Sequence, residues 1–121
     1  MTHNKTHKTL TKNIDIVAAP ALYPYHRKGG TIVLIDVLRF TSTLTTALAN
    51  GALWAEAHPD SETVLKLKKE GYIIAGEKNG LFIEGFDYNN SPVSMTRENI
   101  EGQKLAFVTT NGTYMRSLIE E

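Results

Sequence analysis

The stretch "TIVLIDVLRFTSTLTTALANG", residues 31–51, contains the strand-to-helix junction that decides the fold. Residues 31–37 form a nearly continuous apolar run, which is typical of a strand covered on both faces in a parallel sheet. From Thr41 onward, apolar residues recur at helical spacing as far as Asn50-Gly51, a common helix end. The stretch therefore predicts a strand that leads directly into a helix.

The same succession of strand and helix continues along the chain. Further strands are predicted at 14–20, 52–58, 72–76 and 104–110, with a helix at 59–71, one helical turn at 95–102 and a last helix from 111 onward. This alternation predicts an α/β layered fold with a largely parallel sheet. We expect a flexible arm at 1–12 and a single α/β domain at 13–121.

The composition limits the classes of function. Lys and Arg number 13 and Asp and Glu number 13, which disfavours a broad nucleic-acid or membrane-binding surface. The absence of cysteine excludes disulfides, thiolate catalysis and cysteine zinc sites. The first dozen residues lack the apolar core of a secretory signal, and no run approaches the roughly 18 apolar residues of a membrane span. We therefore expect a cytoplasmic protein.

Polar residues follow three of the predicted strands. Ligands bind at the carboxyl ends of parallel strands, so these residues are expected to meet at one edge of the sheet. They are Asp36, Arg39, Thr41, Ser42 and Thr43 after the strand at 31–37, Glu77 after 72–76, and Thr110, Asn111, Gly112 and Thr113 at the end of 104–110.

These residue types suit an anion held together with a divalent metal ion. Free N–H groups at a helix start attract anions, and Arg39 can bind a phosphate in bidentate fashion. Gly112 allows a close approach of the backbone to an oxyanion. Asp36 and Glu77 supply the carboxylate oxygens that Mg²⁺ prefers.

Each residue also has an ordinary structural explanation. Asp36 can cap the helix or pair with Arg39, and the hydroxyls from Thr41 to Thr46 can be helix caps or half-buried helix residues. Glu77 can be a solvated loop acid, and "TNGT" can be a tight turn. His58 is interpreted as a strand-end residue. No P-loop, nucleophile elbow or G-x-G-x-x-G motif is present.

Three segments resemble a known family. "VLIDVLRFTSTLTTALANGA", "AGEKNGLFIEGFDYNNSP" and "VTTNGT" are similar, in order and spacing, to the "IDVLRATTT…ALANGA", "GE…GFDLGNSP" and "TTNGT" segments of the 2-phosphosulfolactate phosphatase (ComB-like) family. Phe40 and Ser42 differ from that pattern, as does Asn89, which stands where the family has glycine. Asn89 must tolerate whatever backbone angle that glycine serves, and Asn is the least costly non-glycine residue for a left-handed position.

The resemblance implies a three-layer α/β/α fold with a mixed sheet and a Mg²⁺-dependent phosphatase. Its family reaction removes phosphate from 2-phosphosulfolactate, a small phosphorylated sulfocarboxylic acid, in a step toward coenzyme M. The matching motif positions imply catalytic roles for Asp36, Arg39, Glu77 and Asn111, metal binding by Asp36 and Glu77, and substrate binding by Thr41, Ser42, Thr43, Asn90, Ser91, Thr110, Gly112 and Thr113. Whether Asp36 binds the metal or acts as a nucleophile stays open.

Members of the family are about twice as long, so the resemblance covers their N-terminal half. The chain is then either a fragment or a short relative that rebuilds the missing half by oligomerising, and we expect a homo-oligomer. The alternative function is that of a catalytically impaired relative, which serves as an anion-binding or oligomeric assembly module.

Overall fold

The computed structural model describes residues 14–25 and 29–109, which fall into two compact units that divide between Gly30 and Thr31. In the first unit a 3-10 helix spans Pro20–Tyr25. The strand predicted at 14–20 is wrong, because residues 14–18 belong to no strand. A strand requires hydrogen bonds to a neighbouring strand, and none pairs with residues 14–18 within the described ranges. The predicted arm at 1–12 and the predicted last helix lie outside the described residues.

The second unit contains alternating helices and strands. In chain order they are α1 (Phe40–Ala49), β1 (Trp54–His58), α2 (Ser61–Lys69), β2 (Ile73–Lys78), β3 (Leu81–Phe82), a 3-10 turn (Pro92–Ser94), the short α3 (Arg97–Ile100) and β4 (Lys104–Val108). The strands form one sheet in the order β1-β4-β2-β3. The strands β1, β4 and β2 are mutually parallel, and β3 is antiparallel to β2. The predicted α/β fold with a mixed, mostly parallel sheet is confirmed, whereas the three-layer arrangement stays a prediction.

The strand predicted at 31–37 is wrong. Residues 31–36 lie in no strand and lead into a turn at 37–39, although the helix that follows forms as predicted. The side chains of Val33 and Ile35 are 74% and 75% exposed. An apolar run of this kind becomes a buried strand only when neighbouring strands pair with it, and within the described part of the chain none does.

Helix α2 shows why the local sequence signals succeeded elsewhere. Asp60 is its N-cap residue, and the carboxylate accepts a hydrogen bond of 2.8 Å from the backbone N–H of Thr63. That bond is the main reason why the pKa of Asp60 lies below its usual value. Glu62 lies in the first turn and lysines lie in the last, as the helix dipole favours.

The core consists of two hydrophobic clusters that share strand β4. Leu105 and Phe107 belong to the cluster that includes α1, and Ala106 and Val108 belong to the cluster that includes Val64 of α2. Successive side chains of a strand point to opposite faces, so β4 contributes to both clusters. No helix among the described residues has the length and apolar character that crossing a membrane requires.

Candidate functional site

The carboxyl ends of β2 and β4 lie side by side. Gly76 of β2 is in register with Val108, the last residue of β4, so the residues that follow, Glu77 and Thr109, lie at the same edge, where the pairing of these two strands ends. Thr109 is buried. His58, the last residue of β1, is also in register with Val108. Three parallel strands therefore end at one edge, which we call the carboxyl edge.

The start of α1 packs on β4 near this edge. Phe40, the first residue of α1, contacts Phe107 in an edge-to-face arrangement with 5.9 Å between ring centroids. Phe107 lies two residues before Thr109 at the carboxyl edge. Both rings are buried, and the contact positions the turn before α1 relative to the end of β4.

A compact hydrogen-bonded loop joins residue 36 to α1. The hydroxyl of Thr41 accepts a hydrogen bond from the backbone N–H of Asp36 and donates one to its carbonyl oxygen, both at 2.8 Å. The hydroxyl of Ser42 donates to the carbonyl oxygen of Val37 at 2.8 Å. These contacts use the backbone of Asp36 and leave the half-buried carboxylate out of the loop's hydrogen bonding.

The expectation that Thr41, Ser42 or Thr43 caps α1 is wrong. The helix begins one residue earlier, at Phe40, its N-cap residue is Arg39, and no side chain caps it. The hydroxyl of Thr43 donates to the carbonyl oxygen of Arg39 at 2.9 Å instead. A hydroxyl has only one proton to donate, so the protons of these three side chains are used within the protein. The positive end of α1 is therefore not covered by a side-chain oxygen.

Asp36 and Arg39 are both half-buried and lie three residues apart at this helix start. No ion pair joins their side chains in the part of the chain that the structure describes. The ordinary explanation of Asp36 as an ion-pair partner of Arg39 is therefore not observed.

Glu77 closes the tight turn between β2 and β3. Its Oε2 accepts a hydrogen bond of 2.6 Å from the backbone N–H of Gly80, and Glu77 pairs with Phe82 across the two strands. Asn79 in this turn has a φ of 53°. One carboxylate oxygen of Glu77 thus has a structural role at the carboxyl edge.

The segment from Tyr88 to Met95 connects the carboxyl edge to α1. At one end the backbone N–H of Gly76 donates to the carbonyl oxygen of Tyr88 at 3.1 Å. At the other end the side chain of Asn50, just after α1, donates to the carbonyl oxygen of Met95 at 2.7 Å. The 3-10 turn between them contacts α1. The segment therefore runs along α1 away from the carboxyl edge.

Two asparagines lie where this segment leaves the edge. Asn90 is 3% exposed, and the Oδ1 atoms of Asn89 and Asn90 are both buried without a hydrogen-bond partner among the described residues. Ser91, also predicted for the site, is half-buried beside them. The backbone of Asn89 is not left-handed, because Asn79 is the only non-glycine residue with positive φ among those described.

The interpretation of His58 as a strand-end residue is confirmed. Its Nε2 is buried without a hydrogen-bond partner among the described residues, 3.6 Å from Oε1 of Glu56. The sequence does not predict the buried oxygen of Asn89, because burial depends on everything packed around the residue. The predicted site residues Thr110, Asn111, Gly112 and Thr113 lie outside the described residues.

The donor types at this edge fit Mg²⁺. The ion takes one or two carboxylates and completes its shell with water and other oxygens. Asp36 and Glu77 are carboxylates, and the buried Oδ1 atoms are hard oxygen acceptors that lack a partner. Within 14–25 and 29–109, no group of three or more His, Cys, Asp or Glu side chains is arranged to hold a metal ion.

Comparison with known proteins gives a consistent result. The family model described as 2-phosphosulpholactate phosphatase matches residues 17–121. The chain is 45% identical over 100 residues to a probable 2-phosphosulfolactate phosphatase of Thermotoga petrophila, which covers 83% of this chain and 43% of the relative. It is 40% identical over 101 residues to a probable 2-phosphosulfolactate phosphatase of Clostridium novyi, and this match covers 81% of this chain and 43% of the relative. A Gloeobacter violaceus relative of the same description is 42% identical over 104 residues, and that match covers 83% of this chain and 44% of the relative.

The chain thus spans less than half the length of these curated relatives, and the match lies in their N-terminal half. The match includes the strand-to-helix junction, the β2–β3 turn, the asparagine segment and the residues after β4. The chain belongs to the 2-phosphosulpholactate phosphatase family.

Proposed function

We propose that this protein binds and hydrolyses a phosphate monoester of a small carboxylic or sulfocarboxylic acid such as 2-phosphosulfolactate, with Mg²⁺ as cofactor. The observation that carries the proposal is the start of α1, which has no side-chain cap and which Phe40 packs on β4 near the carboxyl edge. The backbone N–H of Thr41 donates to the carbonyl oxygen of Asp36. The other N–H groups of this first turn, with the positive helix end, form a suitable environment for a phosphate. Coenzyme M biosynthesis and a cytoplasmic location belong to the same proposal.

The substrate phosphate would lie against the start of α1. Backbone N–H groups there would donate to its oxygens, and the guanidinium of Arg39 would bind it in bidentate fashion. The hydroxyls of Thr41, Ser42 and Thr43 hold the loop in shape, because their protons are already donated to carbonyl oxygens. In this proposal Ser91, with the segment 110–113, would complete the walls of the substrate site.

The two carboxylates would act on the reacting phosphoryl group through the metal ion. Asp36 and Glu77 would hold Mg²⁺, which offsets charge on the phosphoryl oxygens when it is bound. Asp36 would either orient this ion or attack phosphorus through a carboxylate oxygen. In the second case the P–O bond to the substrate alkoxide breaks, and water then cleaves the acyl phosphate to regenerate the carboxylate.

The substitution Asp36→Asn tests the role of the carboxylate. We expect phosphate release from 2-phosphosulfolactate to fall by at least about 100-fold, the scale of losing one group that stabilises a transition state. The melting temperature should hardly change, since Thr41 bonds the backbone of Asp36 and not its side chain. Phosphate release is measured with full-length protein and Mg²⁺, and the control is Glu62→Gln on the exposed first turn of α2. Unchanged turnover of Asp36→Asn would remove this residue from the mechanism.

One observation favours the second candidate, an anion-binding or assembly module without catalysis. Val33 and Ile35 are highly exposed apolar side chains in a segment that the sequence predicts to be a buried strand, and the exposed Leu38 follows it directly. A second copy of the chain that covers this segment would make a homo-oligomer. Calorimetry with phosphate and Mg²⁺, beside a phosphatase assay and sedimentation, separates the candidates. Binding by an oligomer without turnover supports the module, and turnover excludes it.

A further inference from the structure

The buried amide oxygens of Asn89 and Asn90 carry an inference about the metal. Most buried polar atoms in folded proteins have a hydrogen-bond partner, and a buried polar atom without a partner destabilises the fold. Here two such atoms are adjacent in sequence, and neither has a partner within the described residues. Asn90 is almost completely buried, so bulk water does not compensate for the missing bond. A bound species that interacts with both oxygens would explain them.

The position of the two asparagines relates them to the proposed site. Tyr88, the preceding residue, is bonded to Gly76 through its carbonyl oxygen, and Glu77 follows Gly76 at the end of β2. Asn90 is followed by the turn that contacts α1. The two amides thus lie in the segment that joins the end of β2, where Glu77 lies, to α1.

The chemistry of these two amide oxygens indicates which kind of ion they would bind. An amide oxygen accepts hydrogen bonds or coordinates a hard cation, and it repels the oxygens of a phosphate. Mg²⁺ keeps several of its waters in proteins, and these waters are hydrogen-bond donors. Two buried oxygens without a partner among the described residues therefore suit a hydrated divalent cation better than an anion.

We propose that Oδ1 of Asn90, assisted by Oδ1 of Asn89, binds the divalent cation of this site directly or through its waters. The inference rests on the proposed function for the presence of Mg²⁺, and it assigns to these asparagines the metal side of the site and not the substrate side.

The test is a titration of the full-length protein with Mn²⁺, which prefers the same hard oxygen ligands as Mg²⁺ and whose free ion is measured by electron paramagnetic resonance. No substrate is present. The variants are Asn90→Leu, Asn90→Asp and Asn89→Gly, and the control is Gln103→Glu, an amide-to-carboxylate change at an exposed residue just before β4. We expect Asn90→Leu to weaken Mn²⁺ binding about 10–100-fold, the range seen for partners that surround a metal's ligands.

Asn90→Asp retains an oxygen and adds a negative charge, so we expect tighter Mn²⁺ binding, whereas Asn89→Gly should weaken it and Gln103→Glu should leave it unchanged. Without metal, Asn90→Leu should melt no lower than the unaltered protein, because it removes an unpaired polar group. If Asn90→Leu does not fold, the Asp and Gly variants still decide the matter.

Two results would overturn the inference: Mn²⁺ affinity unchanged in all three site variants, or weakened binding in Asn90→Asp. A separate phosphatase assay distinguishes this failure from failure of the proposed function. If the protein hydrolyses the substrate but its Mn²⁺ affinity is unchanged in the asparagine variants, only the metal role of the asparagines is refuted. If the variants change the Mn²⁺ affinity but the protein shows no hydrolysis, the metal role is supported and the phosphatase function is refuted.

Discussion

The close approach of β2 and β4 at Gly76 makes the substitution Gly76→Ala the most direct test of the site's geometry. A Cβ atom at this position would overlap the carbonyl oxygen of Val108 and lie 2.8 Å from its Cγ1. Ordinary contact begins at 3.4 Å, so the strands would have to separate by at least about 0.6 Å here. The expected cost is about 1–3 kcal/mol, as for other overpacked cores.

The separation would act on the site as well as on stability. Glu77 and Thr109 follow the two residues that would be forced apart, and the N–H of Gly76 bonds Tyr88, which precedes the asparagines. We therefore expect Gly76→Ala to lower both the melting temperature and phosphate release. A loss of 1 kcal/mol corresponds to about 4 °C or more in a domain of this size.

Thermal unfolding by circular dichroism and phosphate release are measured on the same preparation. The matched control is Gly80→Ala, where an added Cβ meets no atom within 4 Å but φ is +79°. That variant should lose about 1 kcal/mol through backbone strain alone and retain its activity. If Gly76→Ala melts within 1 °C of the unaltered protein and keeps its activity, the two strands are not packed as described and the reasoning fails.

Two further predictions concern the helices. The pKa of Asp60 is lowered chiefly by the N–H of Thr63, so the ionised carboxylate stabilises α2 above pH 3.8 and this contribution is lost as pH falls through the lowered value. In melts at decreasing pH, Asp60→Asn should therefore lose less stability than the unaltered protein, and equal slopes would contradict the cap. Phe40→Ala introduces the alanine of the family pattern that the sequence resembles, but it removes the buried ring that contacts Phe107. It should therefore lower the free energy of unfolding, measured in urea, by about 3–5 kcal/mol. A cost below 1 kcal/mol would show that the ring does not fix the start of α1.

Local sequence signals were sufficient for most of the second unit. The helix at 59–71 was recognisable because its cap residue Asp60, its early acid and its late lysines act within one or two turns. Short apolar runs bounded by turn residues are typical of buried strands. Strands β1 and β4 formed within the predicted ranges, and β2 begins within its range but continues two residues beyond it, to Lys78. Their parallel pairing was also foreseeable, because helices connect them.

The candidate site was only partly accessible to the same reasoning. That polar residues follow the strand ends is visible in the sequence, and so is the carboxylate at Glu77. The direction of the hydroxyl bonds of Thr41, Ser42 and Thr43 was not, because each hydroxyl could donate toward the helix or back to the preceding turn. The partnerless oxygens at Asn89 and Asn90 were equally hidden, since burial is a property of everything packed around a residue.

The sequence by itself determined the family and the positions of α1, β1, α2, β2 and β4 in the second unit, because periodicity, caps and motif spacing are encoded in neighbouring residues. Only the tertiary structure decided that residues 31–36 stay outside the sheet and that β2 and β4 approach closely at Gly76. Strand pairing and burial depend on contacts between segments far apart in the chain, and an apolar run carries no information on whether a partner strand lies beside it.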